Sequence, residues 1–307
     1  MATAREIRRR IRSVRNIRQI TRALEAVSAS KVRRAQDAVQ GTRPYALNAR
    51  QLLADVADLA GGETRHPLLK KRDAVNNVYI LLITSDRGLC GAFNTNIARA
   101  ALDFEREFGK PISYVTIGRK GRDFLFRRNR RIVAEFSNLP ARPTLLDTTA
   151  ATRTLTEDFL DGKADEVYLA YTEFRSMASQ KPVVKRLLPL TAGALAVEKP
   201  HAGPRPAYEF EPGPQEILND LLPRLTELQV YQAVLESLAS EHSARMVSMR
   251  NASDSATEFI FSLTLSYNKA RQQGITNELL DIAGGAEALA QTLRHNAAAA
   301  AMAAAGE

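Results

Sequence analysis

The chain contains few residues that could support chemistry based on sulfur or on clustered imidazoles. Its 307 residues include one cysteine, four histidines and no tryptophan. Because Cys90 stands alone, an internal disulfide is excluded, and the composition fits a reducing compartment. The histidines are not grouped with cysteines or carboxylates at metal-ligand spacing, and none is placed to act as a base for Cys90. We therefore expect no metal site, no catalytic residues and a structural role for the Cys90 thiol.

Long hydrophobic runs are also missing. No run of about eighteen apolar residues exists, and the alanine-rich segment 297–305 is too short and too weakly hydrophobic to span a bilayer. The first helical pattern is rich in arginine and lacks the apolar core of a signal peptide, and no transit peptide is evident. These absences predict a protein that is soluble or bound peripherally to a membrane.

A third absence concerns nucleotides. The apolar run 77–85 feeds the turn DRGLCG (residues 86–91) before a helical pattern begins. Glycine-bearing turns in this place bind phosphates in doubly wound domains. This turn, however, has neither the G-x-G-x-x-G spacing nor the lysine and hydroxyl of a P-loop. We predict no nucleotide site and no cofactor.

Positive charge is concentrated at one end of the chain. The net charge is +9, and residues 1–36 alone carry eleven Lys or Arg against Glu6 and Glu25. The remaining residues are therefore neutral overall. A basic run of this strength indicates an acidic partner, which could be a nucleic acid, an anionic membrane or a protein surface.

Apolar residues recur in steps of three and four over residues 215–283, which predicts one long helix. The N-terminal segment repeats this spacing, so the two termini are predicted to wind around each other as an antiparallel coiled coil. His242 falls on the seam and is interpreted as a polar residue that sets register. The stripe residues are Leu218, Leu221, Leu225, Leu228, Leu235, Leu238, Met249, Ala256, Leu263, Tyr267 and Ala270 in the C-terminal helix and Ile7, Ile11, Val14, Ile17, Ile20, Leu24 and Val27 in the N-terminal helix.

The N-terminal helix has a recognisable start and an expected interruption. Thr3 is a plausible N-cap with Glu6 three residues later, the pattern of a capping box. Gly41 and Pro44 are expected to break the helix, which resumes over residues 49–59.

Between the two helices, β-branched runs of strand length alternate with helical patterns. This alternation predicts a mostly parallel sheet with helices on both faces. The expected strands are 77–85, 113–117, 131–136, 166–174 and 183–190, and the expected helices are 94–108, 120–127 and 149–160.

The predicted fold class is α/β: a long antiparallel coiled coil of the N- and C-terminal helices plus a Rossmann-like α/β domain with a mostly parallel sheet. Pro223 is expected to kink or restart the C-terminal helix, and the conformation of the tail is left open. The expected divisions are an N-terminal coiled-coil helix (1–60), a linker (61–74), the α/β domain (75–193), a linker loop (194–214), a C-terminal coiled-coil helix (215–289) and a C-terminal tail (290–307).

Three motifs together resemble the gamma subunit of the F-type ATP synthase, the central rotor shaft of that machine. Their order and spacing match the family, and the resemblance covers nearly the whole chain. The motifs are ITRALEAVSASKVRRAQ (20–36), SDRGLCGAFNTN (85–96) and the C-terminal pair ASEHSARMVSMRNASDSA (239–256) and LSYNKARQQGITNELLDIAGGAEAL (265–289).

The resemblance implies a non-catalytic subunit that couples proton flow through a membrane ring of c subunits to conformational cycling of the catalytic beta subunits. Its implied partners are three alpha and three beta subunits, the epsilon subunit and the c ring, with no nucleic acid. It implies a peripheral position at the cytoplasmic face of a bacterial-type cell membrane, reached only through the complex. The contacts with the beta ring and the shaft that motif position implies are Leu24, Ser85, Asp86, Arg87, Arg245, Arg271, Gln272, Thr276 and Glu278.

Two other classes stay open on the residues alone. The first is a basic coiled-coil protein that binds nucleic acid, although residues 1–44 contain no Phe, Tyr or Trp to stack on bases. The second is an enzyme that uses the 85–96 loop, which requires the isolated chain to bind a nucleotide.

Overall fold

A computed structural model describes residues 3–59, 66–72, 74–190 and 213–304, and within these ranges it leaves out the side chains of residues 43, 45–59, 214–215 and 294–304. Strands and helices alternate between two long terminal helices. The elements in chain order are α1 (Ala4–Leu59), a 3-10 turn (Pro67–Leu69), β1 (Val78–Ile83), α2 (Phe93–Phe108), β2 (Ile112–Ile117), α3 (Arg119–Phe126), β3 (Ile132–Phe136), α4 (Leu145–Leu160), β4 (Glu166–Phe174), β5 (Gln180–Leu188) and α5 (Pro214–Ala304).

The middle of the chain forms a five-stranded sheet in the order β3-β2-β1-β4-β5. The first four strands are parallel and β5 is antiparallel to β4, so the predicted mostly parallel sheet is confirmed. β5 begins three residues before the predicted Val183. A tight turn precedes it, in which the Ser179 N–H donates to the Ser176 carbonyl at 3.2 Å. Such a turn is too short for a crossover, so it imposes antiparallel pairing.

Helices cover both faces of the sheet because the central strands are apolar on both sides. All six residues of β1 are buried. Tyr79, Leu81 and Ile83 pack with α4 and with the first part of α5, while Ile80 and Leu82 pack with α2 and α3. This is the layered arrangement that the sequence predicts.

The chain divides into two compact units, residues 1–23 with 250–307 and residues 24–249. In each unit a segment of α1 accompanies a segment of α5. In the second unit, Ala35 and Val39 of α1 cluster with Leu235 and Ala239 of α5. The first unit combines the N-terminal part of α1 with the C-terminal part of α5.

The seam of α1 differs from the predicted stripe after Val14. Ile17, Ile20 and Val27 are 51%, 60% and 53% exposed, whereas Thr21 and Ser28 are buried. The buried residues Ile7, Thr21, Ser28 and Ala35 are spaced by multiples of seven, with the half-buried Val14 between the first two, whereas Ile17, Ile20 and Val27 lie off these positions. Both hydroxyls are satisfied within the helix, since Thr21 Oγ1 donates to the Arg18 carbonyl at 3.0 Å and Ser28 Oγ to the Leu24 carbonyl at 2.7 Å.

The predicted interruption of α1 is wrong. The helix is continuous through Gly41 and Pro44 to Leu59. Proline removes one N–H, here the donor to the carbonyl four residues earlier, and this costs a helix one bond without necessarily ending it. The capping box is present, since the Thr3 N–H donates to Glu6 Oε2 at 3.1 Å and the Glu6 N–H donates to Thr3 Oγ1 at 3.4 Å.

α5 likewise neither kinks into two helices nor restarts at Pro223. It continues through the tail that the sequence leaves open and ends at Ala304. Every residue from 271 to 289 is exposed. Residues 61–65 and 73 of the first predicted linker and residues 194–212 of the second lie outside the described residues.

Candidate subunit-contact site

The turn after β1 is closed by its own side chains. The Ser85 hydroxyl donates to the Arg87 carbonyl at 2.6 Å, and the Ser85 N–H donates to Asn94 Oδ1 at 2.9 Å. Ser85 is buried and Arg87 is exposed. Ser85 therefore shapes the turn, whereas the Arg87 side chain is available to a partner.

Asp86 ties this turn to the loops after the two neighbouring strands. Its carboxylate accepts from the Arg119 N–H at 3.0 Å and from the Asn138 N–H at 2.9 Å. The Arg119 Nε lies 3.7 Å from the same carboxylate. Because parallel strands end at one edge of the sheet, a single carboxylate can connect the loops after β1, β2 and β3. Asp86 thus fixes the carboxyl edge of the sheet.

Arg245 of α5 binds the turn from the other side. Its Nη2 donates to the carbonyls of Gly88 and Arg87 at 3.1 and 3.3 Å, and its Nε donates to Gly88 at 3.3 Å. Its Nη1 donates to Glu241 Oε1 at 2.7 Å. The planar guanidinium can make all these bonds at once, which an ammonium cannot. Turn and long helix are therefore joined through one side chain.

The bonds from Arg245 to the turn also argue against a nucleotide site there. The turn offers backbone carbonyls of Arg87 and Gly88 to a cation, whereas a phosphate-binding loop presents N–H groups to an anion. The polarity is the reverse of that of a phosphate site. Cys90 is buried beside the turn, its Sγ accepts from Asn94 Nδ2 at 3.1 Å, and burial raises the pKa of the thiol. A neutral thiol is a poor nucleophile.

A cleft of about 400 Å³ lies between the carboxyl edge, Lys31 of α1 and the face of α5 that carries Arg245. Two buried groups of α5 line it with shifted pKa values. Burial raises the pKa of Glu241, and the Arg245 guanidinium partly offsets that rise. Burial, with Arg245 and Lys31 adding to it, lowers the pKa of His242 to about 4. His242 is therefore neutral near pH 7 and contributes no charge to the seam.

Two serines of α5 form contacts that the sequence patterns do not reveal. The Ser237 hydroxyl accepts from the Thr172 N–H at 3.2 Å, and the Ser240 hydroxyl donates to the Thr172 carbonyl at 3.1 Å. β4 pairs with β1 only as far as Ala170. Thr172 lies beyond the end of the pairing with β1, so its backbone N–H and carbonyl bond to the two serines of α5 instead. Ser240 belongs to the conspicuous 239–256 motif, but its spacing does not indicate a link to β4.

The implied contact residues thus fall in different settings. Ser85, Asp86, Arg87 and Arg245 come together around one turn. Leu24 is half-buried on α1. Arg271, Gln272, Thr276 and Glu278 lie exposed in the other unit, where Thr276 Oγ1 donates to the Gln272 carbonyl of its own helix at 3.0 Å.

None of the described helices combines the length and the apolar character that crossing a membrane requires. The fold resembles the central stalk and c-ring structure of the Tetrahymena thermophila mitochondrial ATP synthase, with a TM-score of 0.61 and 24% identity over 76% of this chain and 99% of that chain. It also resembles the OSCP/F1/c-ring structure of the Euglena gracilis mitochondrial ATP synthase, with a TM-score of 0.62 and 21% identity over 93% of this chain and 94% of that chain.

Sequence comparison extends over almost the whole chain. Residues 3–289 match the profile of the family described as ATP synthase. The ATP synthase gamma chain of Dehalococcoides mccartyi is 50% identical over 291 residues, which cover 94% of this chain and all of that relative. The ATP synthase gamma chain of Herpetosiphon aurantiacus is 46% identical over 304 residues, with 95% and 100% covered. The chain therefore belongs to the family of ATP synthase gamma chains.

Proposed function

We propose that this chain is the central rotor shaft of a proton-translocating F-type ATP synthase. The observation that carries the proposal is the 50% identity to a gamma chain over 291 residues, which cover 94% of this chain. The bonds from Arg245 to the turn after β1 support it, because a shaft that transmits torque needs its sheet domain fixed to its long helix.

The mechanism is one of differential binding. A shaft without threefold symmetry makes different contacts with three equivalent catalytic sites, so each site is biased toward a different conformation and nucleotide affinity. Rotation exchanges these biases among the sites. Proton flow through a c ring turns the shaft and releases ATP, and hydrolysis turns it backwards. Catalysis lies on the beta subunits, and we assign no catalytic residue, metal ligand or cofactor site to the described residues of this chain.

The partners are three alpha and three beta subunits around the coiled coil, with the epsilon subunit and the c ring at the sheet domain. The chain reaches the cytoplasmic face of the cell membrane through these partners. Arg87 and the exposed residues Arg271, Gln272, Thr276 and Glu278 contact the beta subunits. Their exposure supports this assignment, because exposed polar side chains can bond across an interface.

The test is a complex reconstituted from this chain with alpha and beta subunits. The chain should co-purify with both, and Arg271→Ala should lower ATPase turnover by about one to two decades, as expected for a charge-assisted hydrogen bond of about 1.5–3 kcal/mol. Arg271→Lys should be intermediate, since it keeps the charge but loses the planar fork. Lys269→Ala, an exposed cation on the same helix, is the matched control and should keep wild-type turnover. Failure to co-purify would contradict the proposed function. Wild-type turnover in both Arg271 variants would contradict only the assignment of Arg271 as a contact with the beta subunits.

A further inference from the structure

The cleft beside Arg245 has a place in the fold that the proposed function does not use. It lies outside the carboxyl ends of the parallel strands, which is where open α/β sheets bind small molecules. Its volume of about 400 Å³ is within the range of small-molecule pockets. All residues that line it belong to the unit of residues 24–249. The cleft therefore has both the position and the size of a ligand site.

Much of the wall of the cleft is apolar. Three elements contribute to this part of the wall, namely α2, the loop after β3 and the face of α5 that looks toward the sheet. Apolar walls hold the carbon skeleton of a ligand, whereas a hydrated inorganic ion gains nothing from them. The apolar residues are Phe93 of α2, Leu139 and Pro140 of the loop, and Val234 and Leu238 of α5.

Positive charge is left over in the cleft. Its two carboxylates are already engaged, since Asp86 accepts two backbone N–H groups and Glu241 pairs with Arg245 at 2.7 Å. Lys31 also lines the cleft and forms no ion pair with any described residue. Burial is the main cause of the shifted pKa values of Glu241 and His242, but the charge of Lys31 acts on both groups. The Lys31 ammonium is therefore close to this part of α5 and has no counter-ion there.

His242 adds a hydrogen-bond donor to the wall of the cleft. Arg245 Nη1 lies 3.4 Å from His242 Nδ1, and a guanidinium nitrogen can only donate, so Nδ1 accepts and the neutral ring carries its proton on Nε2. This Nε2–H has no hydrogen-bond partner within the described parts of the chain, although only 6% of His242 is exposed. A nearly buried donor without a partner costs free energy, which a ligand in the cleft can recover.

We propose that the cleft binds a small organic carboxylate with an apolar body. The carboxylate accepts from the His242 Nε2–H and pairs with the Lys31 ammonium, while the carbon skeleton lies against the apolar wall. Inorganic phosphate fits less well, because the backbone N–H groups of Arg119 and Asn138 that could surround it are bound to Asp86. Arg87 also lines the cleft, but the proposed function directs its exposed side chain to the beta subunits.

A ligand in this cleft connects three parts of the chain. Lys31 belongs to α1, His242 to α5 and Leu139 to the loop after β3. The ligand therefore adds to the contact that Arg245 makes between α5 and the sheet. Because it binds the folded chain and not the unfolded chain, it raises the midpoint of thermal unfolding as its concentration increases.

The test uses fluorine NMR to measure binding of para-trifluoromethylbenzoate to the purified full chain. The neutral para-trifluoromethylbenzamide has the same shape and should bind about fivefold more weakly or worse. His242→Phe keeps a ring but removes the donor, and it should weaken binding of the benzoate about tenfold. Lys31→Gln should weaken it about fivefold, whereas the matched control Arg33→Gln, on an exposed cation of α1 that does not line the cleft, should bind as wild type. Ala141→Trp, which fills the cleft from an exposed loop position, should abolish binding.

Three results would overturn the proposal. Equal binding of the benzoate and the benzamide would remove the role of the carboxylate. Equal losses in Lys31→Gln and Arg33→Gln would show that only total charge matters, and this comparison holds even if His242→Phe fails to fold, because both residues are exposed. Loss of binding in the complex with alpha and beta subunits would show that another subunit, and not a small molecule, fills the cleft. The first two measurements use the isolated chain, so their failure leaves the shaft assignment untouched.

Discussion

Arg245 and Gly88, 157 positions apart in the chain, are joined by two hydrogen bonds from one guanidinium to one carbonyl, at 3.1 and 3.3 Å. The same side chain pairs with Glu241 one turn earlier in α5. Both partners of that ion pair are largely buried, with 13% and 15% of their side chains exposed. The contact between α5 and the sheet therefore depends on the Arg245–Glu241 ion pair, and leaving either of these buried charges unpaired would lower the free energy of unfolding.

We expect Arg245→Met to lower the free energy of unfolding by about 3 kcal/mol, because it leaves a buried carboxylate without its cation. Urea unfolding followed by circular dichroism would measure the loss. The double variant Arg245→Met, Glu241→Gln should recover part of it, since it removes the orphaned charge as well. Arg250→Met, on an exposed residue of the same helix, is the control and should change little. A double variant no more stable than Arg245→Met would contradict this account.

His242 makes stability depend on pH. Its pKa in the folded chain is about 4, because burial and the charges of Arg245 and Lys31 disfavour the protonated ring, against an ordinary value of 6.5. Between these values the unfolded chain binds a proton that the folded chain does not, so stability falls as pH drops from 6.5 toward 4. The full loss is on the order of 3 kcal/mol. The raised pKa of Glu241 acts in the opposite direction.

Unfolding midpoints at pH 7.5 and pH 5 would test this, with His242→Gln as the variant. The variant should lose less stability than wild type on acidification, whatever its stability at pH 7.5. His66, whose pKa burial also lowers, is a second contributor of the same sign, and His66→Gln is the matched comparison. Parallel pH profiles for wild type and His242→Gln would rule His242 out as the source.

Two glycines with positive φ differ both in backbone region, with ψ 13 at Gly109 and ψ 136 at Gly118, and in the space around them. Gly118 has φ +96, and a Cβ on it would lie 2.2 Å from the Thr84 carbonyl oxygen. Gly109 has φ +70 and open space around it. Gly109→Ala should cost about 1 kcal/mol, the cost of alanine in the left-handed helical region, and Gly118→Ala at least about 3 kcal/mol, because its backbone angles favour glycine and the Thr84 backbone must also move. Thermal unfolding compares the two variants, and equal losses of stability would contradict the larger cost expected at Gly118.

Ser240→Ala should destabilise the chain by about 1–3 kcal/mol, since it leaves the buried Thr172 carbonyl without the donor that now lies 3.1 Å away. Ser266→Ala removes a hydroxyl that is exposed and bonded only within its own helix, so it should cost little. Hydrogen exchange gives a second readout, since opening at the end of β4 should quicken in the first variant alone. Equal exchange in both variants would show that Thr172 finds another partner.

Local patterns in the sequence were sufficient to locate the strands and helices, though not the continuity of α1 and α5, and to identify the family. The six apolar residues of β1, the period of α5 and the Thr3 capping box each express a preference of neighbouring residues. Such preferences depend on backbone sterics and on hydrogen bonds between near neighbours, which the sequence displays directly. The strand patterns did not predict that β5 is antiparallel, because the tight turn before it, and not the strand itself, decides its direction.

Only the tertiary structure decided which residues meet across the chain. Thr21 and Ser28 occupy the seam in place of Ile17, Ile20 and Val27 because heptad position, and not hydrophobicity alone, determines which side chains are buried. Pro44 sits inside a helix because one lost bond does not outweigh the rest of the helix. The Arg245 guanidinium meets the Gly88 carbonyl only in the folded chain, and one-dimensional spacing carries no record of that contact.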